Sequence, residues 1–260
     1  MGRYLALVPM ALALAACGGG SGGALSLDPV ASAAEKTAKQ GSTKVAFRMA
    51  GGGITGTGKG VFNNDGSSGS MSTMALTGRG RSIHMDAVTE GFVLYMRSPF
   101  FQSQPGFPKG KEWLEIDLQK AAKSMGIDLG SFQSMSPKSS LSFLRGSNGK
   151  PKKVGKETVR GIVTTHYSAT VDLQAAADKA GGDTAKSLRK LIELTGTKTF
   201  PVDVWIDGRG LVRKESYRQR FLAGQPAVRL TEVMYGFGPS VDVPAPPSDK
   251  VFDATKYATS

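Results

Sequence analysis

The sequence predicts an α+β fold, with one large, curved, antiparallel β-sheet of about ten or eleven strands and short helices on its concave face. Two observations predict this fold. Segments with apolar residues at every second position recur along the chain, and turns that contain Gly separate many of them. Blocks with helical spacing interrupt the strands, while no domain linker and no internal repeat is visible.

A short helix is predicted first, over residues 30–39. Asp28 fits the N-cap position, Pro29 fits the first turn, and Gly41 ends the helix. Strands come next, and the run 63–66 (Asn-Asn-Asp-Gly) is typical of a hairpin turn. The predicted strands of this block are 44–49, 54–62, 70–76, 82–88, 92–96 and 112–116.

The middle of the chain is predicted to be helical, over 117–125, 129–135 and from Ser136 through 141–144. Two strands, 154–160 and 162–173, precede a helical insert over 175–179 and 183–194. Strands over 200–206, 211–222 and 227–237 close the sheet, and the first two form a hairpin through 207–210. The proline-rich tail at 243–247 cannot continue a ladder of strands.

The first residues indicate export. Residues 4–16 carry no charge, and this stretch is shorter than the roughly 20 residues that a membrane-spanning helix needs. It is typical of a secretory signal. The run 14–17 (Leu-Ala-Ala-Cys) resembles the lipobox of bacterial lipoproteins, which implies diacylglycerol on the thiol of Cys17 and cleavage before it. The alternative is an ordinary signal peptide whose first mature residue is a cysteine.

The domain organisation follows from this interpretation. Residues 1–16 are the signal peptide, 17–24 are the lipidated cysteine with a Gly-rich tether, and 25–256 form a single domain. The composition is 40% hydrophobic, which excludes a disordered chain. The formal net charge of +12 suggests anionic lipid headgroups or wall polymers as partners, although a generic soluble surface would also explain it. Export argues against nucleic acid.

Large, flexible apolar residues share faces of the predicted strands, and the chain has 10 methionines. Methionine adapts to irregular apolar guests, so a curved sheet under helices could enclose a cavity for acyl chains. An ordinary packed core is the alternative. Strand parity and helix faces give these candidate cavity residues: Phe47, Met49, Met74, Met85, Leu94, Met96, Trp113, Leu141, Leu144 and Val204.

Three segments, 111–117, 202–214 and 237–247, resemble the LolA-like bacterial lipoproteins, especially the LppX/LprG-type branch. The resemblance extends from residue 24 to about residue 256 and rests on features of the fold. It implies a half-barrel of strands wrapped over helices, with an apolar cavity for acyl chains. It also implies a carrier or chaperone role for lipids or lipoproteins in the cell envelope.

Catalytic motifs are weak. Residues 51–56 match G-x-G-x-x-G, but no helix follows them, and we expect a bend or bulge there. Ser187 and Lys190 match S-x-x-K without its partner motifs, and we interpret them as a solvated helix face. His84 and His166 are the only histidines in the sequence, so a zinc site would need mostly carboxylate ligands. A catalytic triad of serine with one of these histidines stays an open alternative. We expect that the protein binds no metal and no cofactor and has no enzymatic activity.

The sequence therefore predicts an exported lipoprotein on the outer face of the cytoplasmic membrane. It would act as a monomer and bind lipid or glycolipid acyl chains as a carrier or chaperone. The alternative is a non-enzymatic surface module that binds or senses an envelope protein or an anionic polymer through a basic outer face. An envelope hydrolase, a third option, would need a cleft with clustered His or carboxylate groups.

Overall fold

The computed structural model describes residues 29–78, 80–129, 151–220 and 222–258. Six α-helices occur in this part of the chain. They are α1 (Pro29–Ala38), α2 (Pro99–Gln102), α3 (Leu118–Ser124), α4 (Leu173–Lys179), α5 (Gly182–Thr195) and α6 (Thr255–Ala258). A short 3₁₀ turn, Ser248–Lys250, precedes the last strand.

The strands form one sheet that has twelve members within the described residues. They are β1 (Ser42–Gly51), β2 (Ile54–Asn63), β3 (Ser68–Gly78), β4 (Arg81–Glu90), β5 (Val93–Arg97), β6 (Trp113–Asp117), β7 (Lys152–Val159), β8 (Ile162–Asp172), β9 (Thr199–Asp207), β10 (Val212–Gln219), β11 (Val228–Gly238) and β12 (Val251–Asp253). Their order in the sheet is β12-β6-β5-β4-β3-β2-β1-β11-β10-β9-β8-β7.

The α+β fold class is confirmed: the sheet is antiparallel except at one edge, where β12 pairs with β6 in parallel. The sequence does not predict β12, because three residues are too few to show a period. It also does not predict α2, which lies where the sequence indicates a loop. Of the helical middle, α3 is present with Asp117 as its N-cap, while most of the predicted helices 129–135 and 136–144 lie outside the described residues.

The inner face of the sheet is the one that the helices cover. On β1, Val45, Phe47 and Met49 point inward and are buried, while Lys44 and Arg48 point outward and are exposed. The apolar faces of the helices join the same core cluster through the following buried residues: Val30, Ala33, Ala34, Leu118, Ala121, Ala122, Leu173, Ala177 and Leu188. This alternation of strand residues and the helical cover produce a two-layer domain.

Strand β2 has glycines at three successive inward positions, Gly56, Gly58 and Gly60. A Cβ atom on Gly58 would overlap Cε1 of Phe47 and would lie 2.9 Å from Cγ of Met74. Side chains of the flanking strands therefore occupy the space above Gly56 and Gly58, while the backbone of β3 lies against Gly60. We call these three residues the glycine stripe.

The β9–β10 hairpin is held by one buried carboxylate. Asp207 accepts hydrogen bonds from the backbone N–H groups of Arg209 and Leu211, at 2.9 and 3.0 Å, and from Nε of Arg213 at 2.6 Å. Burial alone would raise the pKa of Asp207, but these hydrogen bonds and the guanidinium charge hold it below its ordinary value of 3.8. The predicted hairpin at 207–210 is confirmed, and its motif has a structural role.

The two edges of the sheet differ. On one side β12 covers β6, and Ala254 N–H donates to the carbonyl of Glu115 just beyond it. On the other side β7 is the last of the described strands, with Lys152, Lys153 and Lys156 exposed and a register shift between Lys153 and Gly155. Across the described ranges, no helix combines the length and apolar character that a bilayer crossing needs.

Candidate functional site

Seven of the predicted cavity residues belong to one buried apolar cluster on the inner face. Each of them is less than 10% exposed. They are Phe47, Met49, Met74, Met85, Leu94, Met96 and Val204. The period-two pattern from which they were chosen therefore assigned their faces correctly, although burial alone does not distinguish a packed core from a lipid site.

Trp113 lies on the opposite face of the sheet. In the β5–β6 pairing, Leu114 is opposite Met96, so Leu114 takes the inward position and Trp113 points outward. The guanidinium of Arg97 lies over the indole ring of Trp113, 4.8 Å from its centroid. The prediction that Trp113 lines the interior is therefore wrong, because the next residue, Leu114, takes the inward position instead. Cys17, Leu141 and Leu144 lie outside the described residues.

A cleft of about 580 Å³ opens beside strands β3 and β4. It is lined by Met74, Ala75, His84, Met85, Asp86, Arg97, Pro99 and Gln102. Its volume is within the range of small-molecule pockets, which is about 300–1,000 Å³. Two of its lining residues, Met74 and Met85, are directly paired inner-face residues, while Ala75, His84, Asp86 and Arg97 have the opposite parity, so the cleft lies at the boundary between the two faces of the sheet.

The cleft lies at an irregularity of the sheet. The β3–β4 register shifts between Met71 and Met74, and such a bulge locally interrupts the ladder and bends the strand. Helix α2 borders the cleft on another side, and Ser98, its N-cap, donates a hydrogen bond to the carbonyl of His84 at 2.5 Å. On the outer side of the cleft, Arg97 donates to Asp86 at 2.9 Å. The site thus combines an apolar side with a charged rim.

Two carboxylates lie on the inner face at the centre of the sheet. Glu215 on β10 and Glu232 on β11 are cross-strand partners, 2% and 6% exposed. Glu232 is also opposite Phe47, and Glu215 is opposite Val204, so both lie among the predicted cavity residues. This pair was not predicted from the sequence, although Glu215 shares its parity with buried Tyr217, and Glu232 shares its parity with buried Leu230 and Met234.

Burial changes the acid–base properties of this pair. It raises the pKa of Glu232 from 4.5 to about 7, because the charged form loses its hydration. Burial first, and then the charges of Glu232 and Glu215, raise the pKa of Tyr217 well above its ordinary value. Near neutral pH the interior therefore holds an exchangeable proton beside apolar side chains.

His166 belongs to a compact group on the outer face. Its Nδ1 lies 2.9 Å from Glu157 Oε1 and its Nε2 lies 3.0 Å from Asp203 Oδ1. The imidazole stacks on Trp205 with 4.2 Å between ring centroids, and Trp205 Nε1 donates to Glu157 at 2.8 Å. Both ring nitrogens contact carboxylates, which leaves neither to accept a proton from a serine. Among the described residues no group of three or more His, Cys, Asp or Glu side chains is arranged to hold a metal ion.

The structure shows where the two weak sequence motifs lie, namely residues 51–56 and the motif with Ser187 and Lys190. Residues 51–56 span the β1–β2 turn and the start of β2, where Gly51, Gly52 and Gly53 have positive φ angles. Ser187 is buried and accepts a hydrogen bond from the backbone N–H of Asp128 at 3.0 Å, so its interpretation as a solvated helix face is wrong. Lys190 does face solvent, where it pairs with Glu193.

Comparison by sequence finds a relative that matches part of this chain. No protein-family model matches the chain. An uncharacterized 31.2 kDa protein in the rplA–rplJ intergenic region of Streptomyces griseus is 32% identical over 122 residues. That match covers 44% of this chain and 40% of the relative, so the chain aligns with less than half of that protein's length.

Two solved structures, one of them of the lipoprotein LppX, resemble this one over most of their length. LppX of Mycobacterium tuberculosis has a TM-score of 0.51 at 16% identity, and the match covers 83% of this chain and 96% of LppX. LprF of Mycobacterium bovis has a TM-score of 0.49 at 14% identity, and the match covers 84% and 95% of the two chains. The likeness to LppX confirms the LppX/LprG-type resemblance at the level of the fold.

Proposed function

We propose that this protein is an envelope lipoprotein, anchored through lipid on Cys17, that binds acyl chains of a lipid or glycolipid and carries them between partners. The observation that carries the proposal is the cleft at Met74 and Met85, which opens next to the apolar inner face of the sheet. The fold of this sheet is similar to that of LppX. The lipobox-like run at 14–17 supports the anchor, and the sequence resemblance supports the carrier role.

The inner face has the chemistry that an acyl chain requires. From β1 to β5 its large side chains are mostly Met, Phe and Leu, which bind a hydrocarbon by dispersion and burial of apolar surface. Methionine side chains change shape at low cost, since they are unbranched. The glycine stripe adds to this freedom, because at its three positions no Cβ atom separates the side chains of the neighbouring strands.

The rim of the cleft suits a polar headgroup. Asp86 and Arg97 form an ion pair there, and their side chains are 40% and 43% exposed. Such an exposed pair costs little to separate, so either charge can turn towards a headgroup that carries hydroxyl or phosphate groups. An acyl chain would then lie along Met74 and Met85 while its headgroup stays in water.

Lipid uptake tests the cleft. A chain that begins at Gly18 keeps every helix and strand described above, and it lacks the acylated cysteine. Native mass spectrometry of this protein should show bound lipid, and a fluorescent fatty acid should be displaced by phospholipid. Met85→Trp should fill the cleft and reduce uptake about tenfold, because its large ring occupies space that the ligand needs.

Two controls make the test specific. Met85→Leu conserves volume and should keep uptake within about threefold of the parent. Leu188→Ala, in the core beneath α5 and away from the cleft, should destabilise the protein without reducing uptake per folded molecule. A lipid-free mass together with no uptake by the parent would refute the carrier role.

The anchor is tested separately. The parent should gain the mass of diacylglycerol and stay in membranes washed at high salt, and Cys17→Ser in the full chain should lose both properties. A parent protein that stays unacylated in its native host would show that the run at 14–17 is an ordinary cleavage site. That result would leave lipid binding by the cleft intact.

A further inference from the structure

One end of the sheet is formed by three connections that lie side by side: the β1–β2 turn, the β3–β4 turn and the β10–β11 loop. A Cβ atom on Gly51 would lie 2.5 Å from the carbonyl oxygen of Ala227, and one on Gly52 would lie 3.4 Å from Cβ of Pro226. Across the sheet, Ile54 pairs with Gly78, which in turn pairs with Arg81. The three connections therefore make one continuous edge.

This edge carries positive charge only. Residues 48–57, 77–83 and 218–229, which form it, contain six arginines, no lysine, no aspartate and no glutamate. Five of these arginines are described, and all five are exposed. We call them the arginine rim: Arg48, Arg81, Arg218, Arg220 and Arg229.

The arginine rim has no counter-charge of its own. None of its five guanidinium groups takes part in an ion pair within the described residues. Arg218 and Arg229 are direct cross-strand partners. Like charges at opposed positions destabilise a sheet, so this pairing costs stability that an external anion would recover.

Exposed apolar side chains project from the same edge. Ile54 is 42% exposed at the start of β2, and Leu222 is 45% exposed in the β10–β11 loop. A soluble polyanion offers no apolar phase for these side chains. A bilayer surface offers both an apolar layer for Ile54 and Leu222 and phosphate groups, which guanidinium binds in a bidentate manner.

We infer that this end of the sheet docks on a membrane surface rich in anionic phospholipid, with the arginine rim on the headgroups and Ile54 and Leu222 in the interface. This docking is independent of the proposed acyl-chain site. It would place one end of the sheet against the bilayer and orient the domain beyond what a flexible tether can do.

Vesicle binding tests the inference. The chain that begins at Gly18 is mixed with vesicles of phosphatidylcholine alone, or of phosphatidylcholine with phosphatidylglycerol, and sedimented. We expect binding to the anionic vesicles only, with an affinity that falls as salt is raised. Arg218→Gln with Arg229→Gln should weaken binding about 25-fold, or about fivefold for each arginine near the surface.

The apolar contribution has its own variant. Ile54→Ser with Leu222→Ser should weaken vesicle binding about fivefold or more, because these side chains would no longer enter the interface. A matched control removes the same charge elsewhere: Lys153→Gln with Lys156→Gln, on exposed edge strand β7, should leave binding within about twofold of the parent. Thermal melting of every variant checks that it is folded.

Three outcomes would overturn the inference. One is equal binding to neutral and anionic vesicles, and another is an equal loss in the β7 control. The third is full competition by soluble polyglutamate with no effect of the Ile54 and Leu222 changes, which would identify a polyanion as the partner. Lipid uptake is measured without vesicles, so failure of docking leaves the carrier proposal untouched, and failure of uptake leaves docking untouched.

Discussion

The two halves of the sheet are built from different side chains. In the methionine half, strands β2–β5, the inner face combines glycine with Met74, Met85 and Met96. In the valine half, strands β8–β10, it is dominated by branched side chains such as Val171, Val202 and Val204. Branched side chains have few rotamers and methionine has many, so the second half is a stiff frame and the first an adaptable surface.

The cleft follows the same division, although shifted strand pairing occurs in both halves, since the β9–β10 register shifts between Val212 and Lys214. The cleft and the β3 bulge lie in the methionine half. The valine half holds the buried ion pair between Asp207 and Arg213. The helical insert α4–α5, which lies between β8 and β9 in sequence, contributes Leu173, Ala177 and Leu188 to the core. One sheet can thus separate the part that maintains the fold from the part that we propose accommodates a ligand.

Breaking the frame should have the largest effect. Arg213→Ala leaves buried Asp207 with only the exposed guanidinium of Arg209, whose Nε lies 3.6 Å away, and it removes the contact of Arg213 with the ring of Phe237. We expect the free energy of unfolding to fall by about 3–5 kcal/mol in urea denaturation. Arg209→Ala is the matched control, since Arg209 is 66% exposed and should change stability by about 0.5 kcal/mol or less. Equal losses in both variants would contradict a rigid valine half.

The carboxylates between the halves should give a pH dependence of intermediate size. The folded pKa of Glu232 is about 7 and its ordinary value is 4.5, so the folded state binds this proton more tightly than the unfolded state. The stabilisation is complete below about pH 4.5 and is lost as the pH rises to about 7. Over that range the free energy of unfolding should fall by about 3 kcal/mol relative to Glu232→Gln, which cannot titrate.

Denaturation of parent and variant at a series of pH values measures this difference. Asp207 and the carboxylates that do not contact Glu232 titrate alike in both proteins, so their contributions cancel, and the measured difference belongs to Glu232 together with its cross-strand partner Glu215. Glu193→Gln on exposed α5 serves as the control and should run parallel to the parent at every pH. A Glu232→Gln curve that also runs parallel to the parent would show that Glu232 ionises normally in the fold.

The smallest effect is the difference between two core truncations. Leu188→Ala on α5, which lies between β8 and β9 in the chain, should cost about 2–5 kcal/mol, because a tightly packed site leaves a cavity. Met85→Ala should cost about 1–2 kcal/mol less, since Met85 already borders open space and its neighbours can move into the gap. Chemical denaturation of both variants measures the difference, and equal costs would mean that the two halves are packed alike.

Regular alternation makes much of this fold predictable from sequence. Strand β1 alternates charged with apolar residues, so its pattern alone indicates which face points inward. Asp117 as an N-cap and the hairpin at 207–210 rest on local chemistry that needs no tertiary information.

Features that depend on pairing between strands are not predictable in this way. The run of Trp113, Leu114 and Ile116 places apolar residues on both parities, and only its register with β5 shows which side faces inward. The cleft arises from a register shift between Met71 and Met74, which no glycine or proline marks in the sequence. Glu215 and Glu232 lie on separate strands and become a pair only through the β10–β11 ladder.

Strand β7 is the outermost strand on its side of the sheet within the described residues, and this has a consequence for crowding. A straight, apolar outermost strand would let sheets of neighbouring molecules join side by side. Three lysines and a shifted register on β7 oppose such joining, through repulsion and through a poor geometric match. Copies of this protein gathered at high density on one surface would therefore stay separate molecules and not polymerise along their sheets.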